Sequence, residues 1–136
     1  MLLKVYLLAH ERTPAGQYYV TRRRRRVAHW CVVTNWKDFE SEGRVNITVV
    51  CYDEGRTMLS GVLRLQEDSS DRYEVTEKGE GEYKSFIDLV MTRCHVSLYR
   101  VRKPRDLFTF NYYPVSNLLV TSINHTRATM EAGECP

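Results

Sequence analysis

The chain lacks the short signatures that announce an enzyme. No C-x-x-C pair, H-E-x-x-H, G-x-S-x-G, P-loop or dinucleotide fingerprint occurs in its 136 residues. Each of those motifs sets metal ligands, a nucleophile or a phosphate-cradling backbone at a fixed spacing, so their joint absence leaves catalysis without a recognisable constellation. Long apolar runs are also missing: nothing reaches the roughly 18 uninterrupted residues that a spanning helix needs. The apolar start, Met1 to Ala9, is broken by Lys4 and Tyr6 and ended by His10-Glu11-Arg12, too short for a secretory signal. Without a leader, the sequons at Asn46 and Asn124 read as chance, and the expected location is intracellular, cytoplasmic or nuclear.

Cysteine is sparse and spread out. Cys31, Cys51, Cys94 and Cys135 fit neither a zinc site nor a redox pair, and three of them sit in apolar strand-like runs. They read as small buried thiols in a reducing compartment, with a Cys31 to Cys51 bridge between neighbouring strands as the alternative. His29 and Cys31 share a strand face but read as packing, not as base and nucleophile. No catalytic residue, metal ligand or cofactor is assigned.

What is present suits one globular domain over residues 1–136. Apolar residues make up 43% and charged residues 27%, a balance that supports a core without metal or disulfide staples. Period-two alternation predicts strands near 2–9, from Gln17, over 27–34, 44–52, 57–66, a short one at 72–76, then 94–102, 107–113 and 118–123. Asn35 to Gly43 reads as a loop carrying two exposed aromatics, Trp36 and Phe39, and the tail from Asn124 shows no pattern. Tyr83, Phe86, Ile87, Val90 and Cys94 recur at helical spacing, with Ser85 and Asp88 as a weak capping box. The expected fold is mainly β, an antiparallel barrel or two-sheet sandwich of about nine short strands with one amphipathic helix. The order of three strands, helix and two strands within it is that of an OB-fold, with no sequence motif behind the likeness.

Charge is the strongest functional signal. Net charge is only +3, yet fifteen of the twenty basic residues are Arg, and seven of the seventeen acids lie between Glu67 and Glu82. A dipolar molecule is expected. Arg22, Arg23, Arg24, Arg25 and Arg26 are consecutive, and a regular strand would point them alternately to both faces. Such a run must sit at an edge, rim, bulge or loop, where water or an anion meets it. With Arg100, Arg102, Lys103 and Arg105 it could line a polyanion surface, with Tyr18 and Tyr19 as stacking faces beside it. Arg93 belongs to the same second segment, and Trp36, Phe39, Tyr112 and Tyr113 are further stacking candidates. Single-stranded nucleic acid, RNA or DNA, is the first partner expected, through a non-enzymatic binding role. The alternative is a self-assembling or partner-binding protein, viral structural or accessory in type, docking acidic to basic patches. A calyx lined by Phe108, Phe110 and Tyr112 is the third reading, outweighed by plain core.

Overall fold

A computed structural model describes residues 13–24, 27–52 and 55–136. Among them, eight strands run in chain order around a closed antiparallel barrel: β1 (Gln17–Arg24), β2 (Val27–Asn35), β3 (Arg44–Cys51), β4 (Thr57–Ser69), β5 (Arg72–Val75), β6 (Thr109–Tyr113), β7 (Leu118–Ile123) and β8 (Thr126–Ala132). The fold is therefore the expected mainly-β antiparallel barrel, but each strand pairs with its chain neighbour, which is not OB-fold topology. The strand expected over 2–9 lies outside the described residues.

Alternation places the core as the pattern requires. Trp30, Val32 and Thr34 of β2, Val45, Ile47 and Val49 of β3, and Leu59, Leu63 and Leu65 of β4 are buried. On β1 the same period buries Tyr18 and leans Val20 on the core, while Tyr19 is half-exposed. Two pieces of the sequence reading change. Trp36 is buried, its indole N–H donating to the Thr34 hydroxyl at 3.0 Å, with edge contacts to Phe39, Tyr73 and Phe110. It plugs one barrel mouth, because polar neighbours in sequence do not decide the burial of a ring set across the opening. Phe39 packs on the same plug and opens a one-turn helix, α1 (Phe39–Glu42), which ends at Gly43 in the left-handed region. The tail expected to be patternless is instead β8, whose Met130 is fully buried and which pairs with both β7 and β1.

The long helix α2 (Glu80–Cys94) buries Tyr83, Phe86, Ile87, Val90 and Cys94, the five positions that the spacing predicts. It starts three residues earlier than the pattern suggests, so Ser85 and Asp88 lie inside it and form no cap. Its place follows from a gap in the barrel. β5 pairs with β4 only from Leu65 onward, so residues 57–64 of β4 have a strand on one side alone. The helix packs on the inward face of that stretch, with Leu59 and Leu63. Gly61 permits the approach: a β-carbon there would stand 2.5 Å from the Phe86 ring, so this glycine serves helix packing and not a bulge.

All four cysteines are oxidised, contrary to the reading as free thiols and to the Cys31–Cys51 alternative. Cys51 at the end of β3 bonds Cys94 at the end of α2, fastening the helix to the barrel. Cys31 bonds Cys135 across 104 residues of sequence. Cys31 lies on the opposite face of β2 from Trp30 and Val32, so the tail reaches it across the outside of β1. Gly133, at φ +139, makes that turn with no room for a side chain beside the Tyr19 ring. The bond reinforces the β1–β8 seam, where Tyr18 and Tyr19 are the strand residues that pair across among those described. Sequence spacing could not reveal either pairing, since both unite residues that only the closed barrel brings together.

Two glycines give opposite expectations. Gly61→Ala should destabilise by about 1–3 kcal/mol through overpacking against Phe86. Gly81→Ala, in the first turn of α2 with nothing near its β-carbon position, should stabilise by up to about 1 kcal/mol. Denaturant midpoints measure both. A Gly61→Ala variant as stable as the parent would mean that the helix does not press on β4.

Candidate functional site: the basic end of the barrel

Because every neighbouring pair is antiparallel, the connections fall at two ends. One end carries the β1–β2 hairpin after Arg24, the β3–β4 connection after Cys51 and the β7–β8 turn at Asn124-His125. The other carries residues 36–43, the β4–β5 hairpin at 69–72, the β6–β7 turn and the C-terminal residues. The arginine run belongs to the first end. The β1–β2 register shifts between Arg22 and Arg23, so a bulge, and not a regular strand, accommodates the described part of the run. Arg22 and Arg23 are exposed. Arg24 closes the strand, and Arg25 and Arg26 lie outside the described residues.

The second basic segment reaches the same end by a different route. It is not the strand expected over 94–102. His95 adopts φ +54 and stops α2, and residues 95–108 form an irregular excursion back to β6. Asp106 organises it. This carboxylate is fully buried, and it accepts from the Tyr99 amide at 2.7 Å, the Ser122 hydroxyl at 2.8 Å and the His125 amide at 3.0 Å. Three donors offset its desolvation and tie the excursion to the β7–β8 turn. The His125 ring stacks on Tyr99 at 3.5 Å, and the Arg102 guanidinium lies 5.2 Å above that same ring. Asn124, with its amide turned to suit both neighbours, donates to the Ser97 carbonyl at 3.0 Å and accepts from Arg22 at 3.3 Å. One side-chain amide thus joins the arginine run to the second segment.

The named cations differ in availability. Among the described residues, Arg22, Arg23, Arg102 and Lys103 form no ion pair. Arg100 pairs with Asp88 at 2.9 Å, but both side chains are exposed and the pair is a weak one. Arg105 is structural. Its guanidinium bonds Glu80 at 2.6 Å and the Arg100 carbonyl at 2.8 Å, and lies 3.6 Å from the Phe108 ring centre. The hydrogen bond from Arg105 holds the Glu80 carboxyl below its ordinary range. The folded value being the lower one, this contribution is present above the unfolded value near 4.3 and fades as pH falls through the folded one.

Of the stacking candidates, Tyr18, Trp36 and Tyr112 are core. The Tyr18 hydroxyl donates to Asn117 at 2.7 Å at the acidic end. Tyr19 donates to Glu131 at 2.9 Å, which raises its pKa. Tyr113 alone of the named rings is strongly exposed, at 46%. Phe110 and Tyr112 also point inward, and Phe108, preceding the strand at a positive-φ Leu107, turns outward onto Arg105. Phe110 and Tyr112, named as calyx lining, belong to the buried core cluster, and the separate apolar space among Trp30, Val90, Leu98 and Ile123 is about 20 Å³, room for one water.

Among the described residues, acids collect at the far end: Glu40 and Glu42 in α1, Glu67, Asp68 and Asp71 about the β4–β5 hairpin, Glu131 near the end of β8 and Glu134 beyond it. Arg56, Arg93 and Arg127 join the basic end, all exposed. Sequence reasoning passed over Arg56 and Arg127 because each stands alone in the chain and only barrel closure gathers them. Among the described residues no His, Cys, Asp and Glu cluster could hold a metal ion, and no helix is long and apolar enough to cross a membrane. Comparison with protein-family models, curated proteins and solved structures returned no match.

Asp106→Ala should cost on the order of 3 kcal/mol, since it orphans two backbone donors and a hydroxyl. Amide exchange at Tyr99 and His125 should accelerate with it. An unchanged melting temperature with protected amides would show that the excursion is held by something else.

Proposed function

We propose that the chain is a non-enzymatic binding protein whose basic barrel end takes a polyanion. The observation that carries this reading is the gathering of Arg22 and Arg23, through Asn124 and Ser97, with the segment that bears Arg102 and Lys103, none of these cations neutralised by a carboxylate of the described chain. Guanidinium forks suit sulfate, phosphate and carboxylate groups through paired hydrogen bonds. Few exposed rings accompany them, which favours recognition by charge over recognition by base stacking. Single-stranded nucleic acid is one polyanion that this surface fits.

Assembly is the second reading, favoured by the opposite charge of the two ends. A basic end facing the acidic end of another copy is a head-to-tail contact, and such contacts make filaments unless the rotation closes a ring. Charge would then set register and encounter rate more than affinity.

Serine in place of Arg22 to Arg26 separates these outcomes. The variant should keep the parent's fold, its melting free energy changing by no more than about 1 kcal/mol, because surface positions contribute little. It should elute from a polyanion resin at clearly lower salt. Equal elution salt would contradict the binding role. Sedimentation of the parent as a discrete oligomer in low salt, dissolved by the same substitutions, would favour assembly instead.

A further inference from the structure

The outer face of the barrel carries a feature that the basic end alone does not use. An open cleft of about 1010 Å³ runs over the outward sides of β5 to β8, beneath the overhang at Lys103 and Pro104. This is the upper end of the roughly 300–1,000 Å³ found for ligand sites. Its walls hold Arg72, Lys103, Arg105 and Arg127 against a single acid, Glu74. Arg72 is engaged by Asp68 and Glu74, and Arg105 by Glu80. Lys103 and Arg127 have no ion-pair partner among the described residues and are exposed. Both stand where the cleft meets the basic end: Arg127 is the second residue of β8 after the β7–β8 turn, and Lys103 belongs to the segment fastened there by Asp106. Tyr113, exposed in the cleft wall, stands at the other end of β6.

From this we infer that the polyanion is a sulfated polysaccharide, whose chain passes from the basic end into the cleft. The inference rests on the polyanion reading and deepens it. Two observations select the class. The two disulfides fit a protein that works in an oxidising compartment, outside the cytosol, where sulfated glycans are abundant and thiols do not stay reduced. The cleft continues the cationic surface along a line, as a chain with anionic groups at intervals requires, and its exposed ring offers a flat apolar face to a sugar. Lys103 and Arg127 would meet successive sulfate groups, while the paired Arg72 and Arg105 shape the walls.

The test uses the full oxidised chain and three forms of it: the parent, Lys103→Ala/Arg127→Ala, and the serine replacement of Arg22 to Arg26. Affinity is measured for a heparin-derived oligosaccharide and for a single-stranded DNA of matched charge and length. The parent should bind the oligosaccharide more tightly than the DNA. The cleft variant should lose roughly tenfold in oligosaccharide affinity, the factor expected for two exposed charge-assisted contacts, and a smaller factor for DNA, which meets these two cations at the basic end without following the cleft. Loss of oligosaccharide binding in the serine variant alone, with the cleft variant like the parent, overturns the cleft path and leaves the polyanion reading standing. DNA bound as tightly as the oligosaccharide overturns the sulfated-glycan class. No binding of either polymer by the parent overturns both readings.

Discussion

The free side of β4 is the constraint from which the layout of this molecule follows. Eight strands close the barrel, but β5 is only four residues long and leaves residues 57–64 of β4 with an unpaired edge. An uncovered edge presents a row of unused donors and acceptors, and natural barrels cover or pair it. Helix α2 packs on the inward face of this stretch, laying Phe86 where Gly61 has no side chain and bonding Cys94 to Cys51. A helix placed there ends at the barrel rim and must return to β6 at its start. The excursion over 95–108 is that return, and it brings a second basic segment to the end that already holds the arginine hairpin.

Charge then sorts by the same geometry. A closed barrel with a packed interior has no place for consecutive arginines except at a turn, and the β1–β2 hairpin supplies one. Among the described residues, Arg22 meets the Asn124 amide, and neither Arg22 nor Arg23 meets a carboxylate. Buried charge is confined to sites with full compensation. Asp106 has three donors, and Tyr83, deep under the excursion, donates its hydroxyl to the Asp106 carbonyl at 2.5 Å while burial keeps its pKa raised.

Much of the fold can be read from residue order alone. The alternation Val45, Ile47, Val49 and the helical spacing from Tyr83 to Cys94 each match the observed burial, because one face of each element has a single place to go. The rim location of the arginines is legible for the same reason. What the sequence hid depends on closure. Trp36 lies in a polar stretch, and nothing local says that a barrel mouth awaits it. The period-two run of Ala128, Met130 and Ala132 was a faint signal for β8, masked by small side chains and polar neighbours. The excursion over 95–108 alternates like a strand, but a left-handed residue at His95 and the buried Asp106 take its backbone elsewhere. Both disulfides, and with them the case for an oxidising compartment, unite residues distant in the chain. Tyr18 shows the converse limit: beside an arginine run it reads as a stacking face, whereas alternation alone turns it to the core.

The central claim is that the barrel meets an anionic polymer at its basic end and not at its acidic one. Amide chemical-shift mapping of the uniformly labelled protein during titration with a sulfated oligosaccharide addresses it most directly. The account predicts shifts concentrated at Arg22 to Arg24, Ser97 to Lys103 and Asn124 to Arg127 and along the cleft walls of β6 and β7, with the acidic turns at 36–43 and 67–71 unmoved. Shifts centred on those acidic turns, or spread evenly over the barrel, would contradict it.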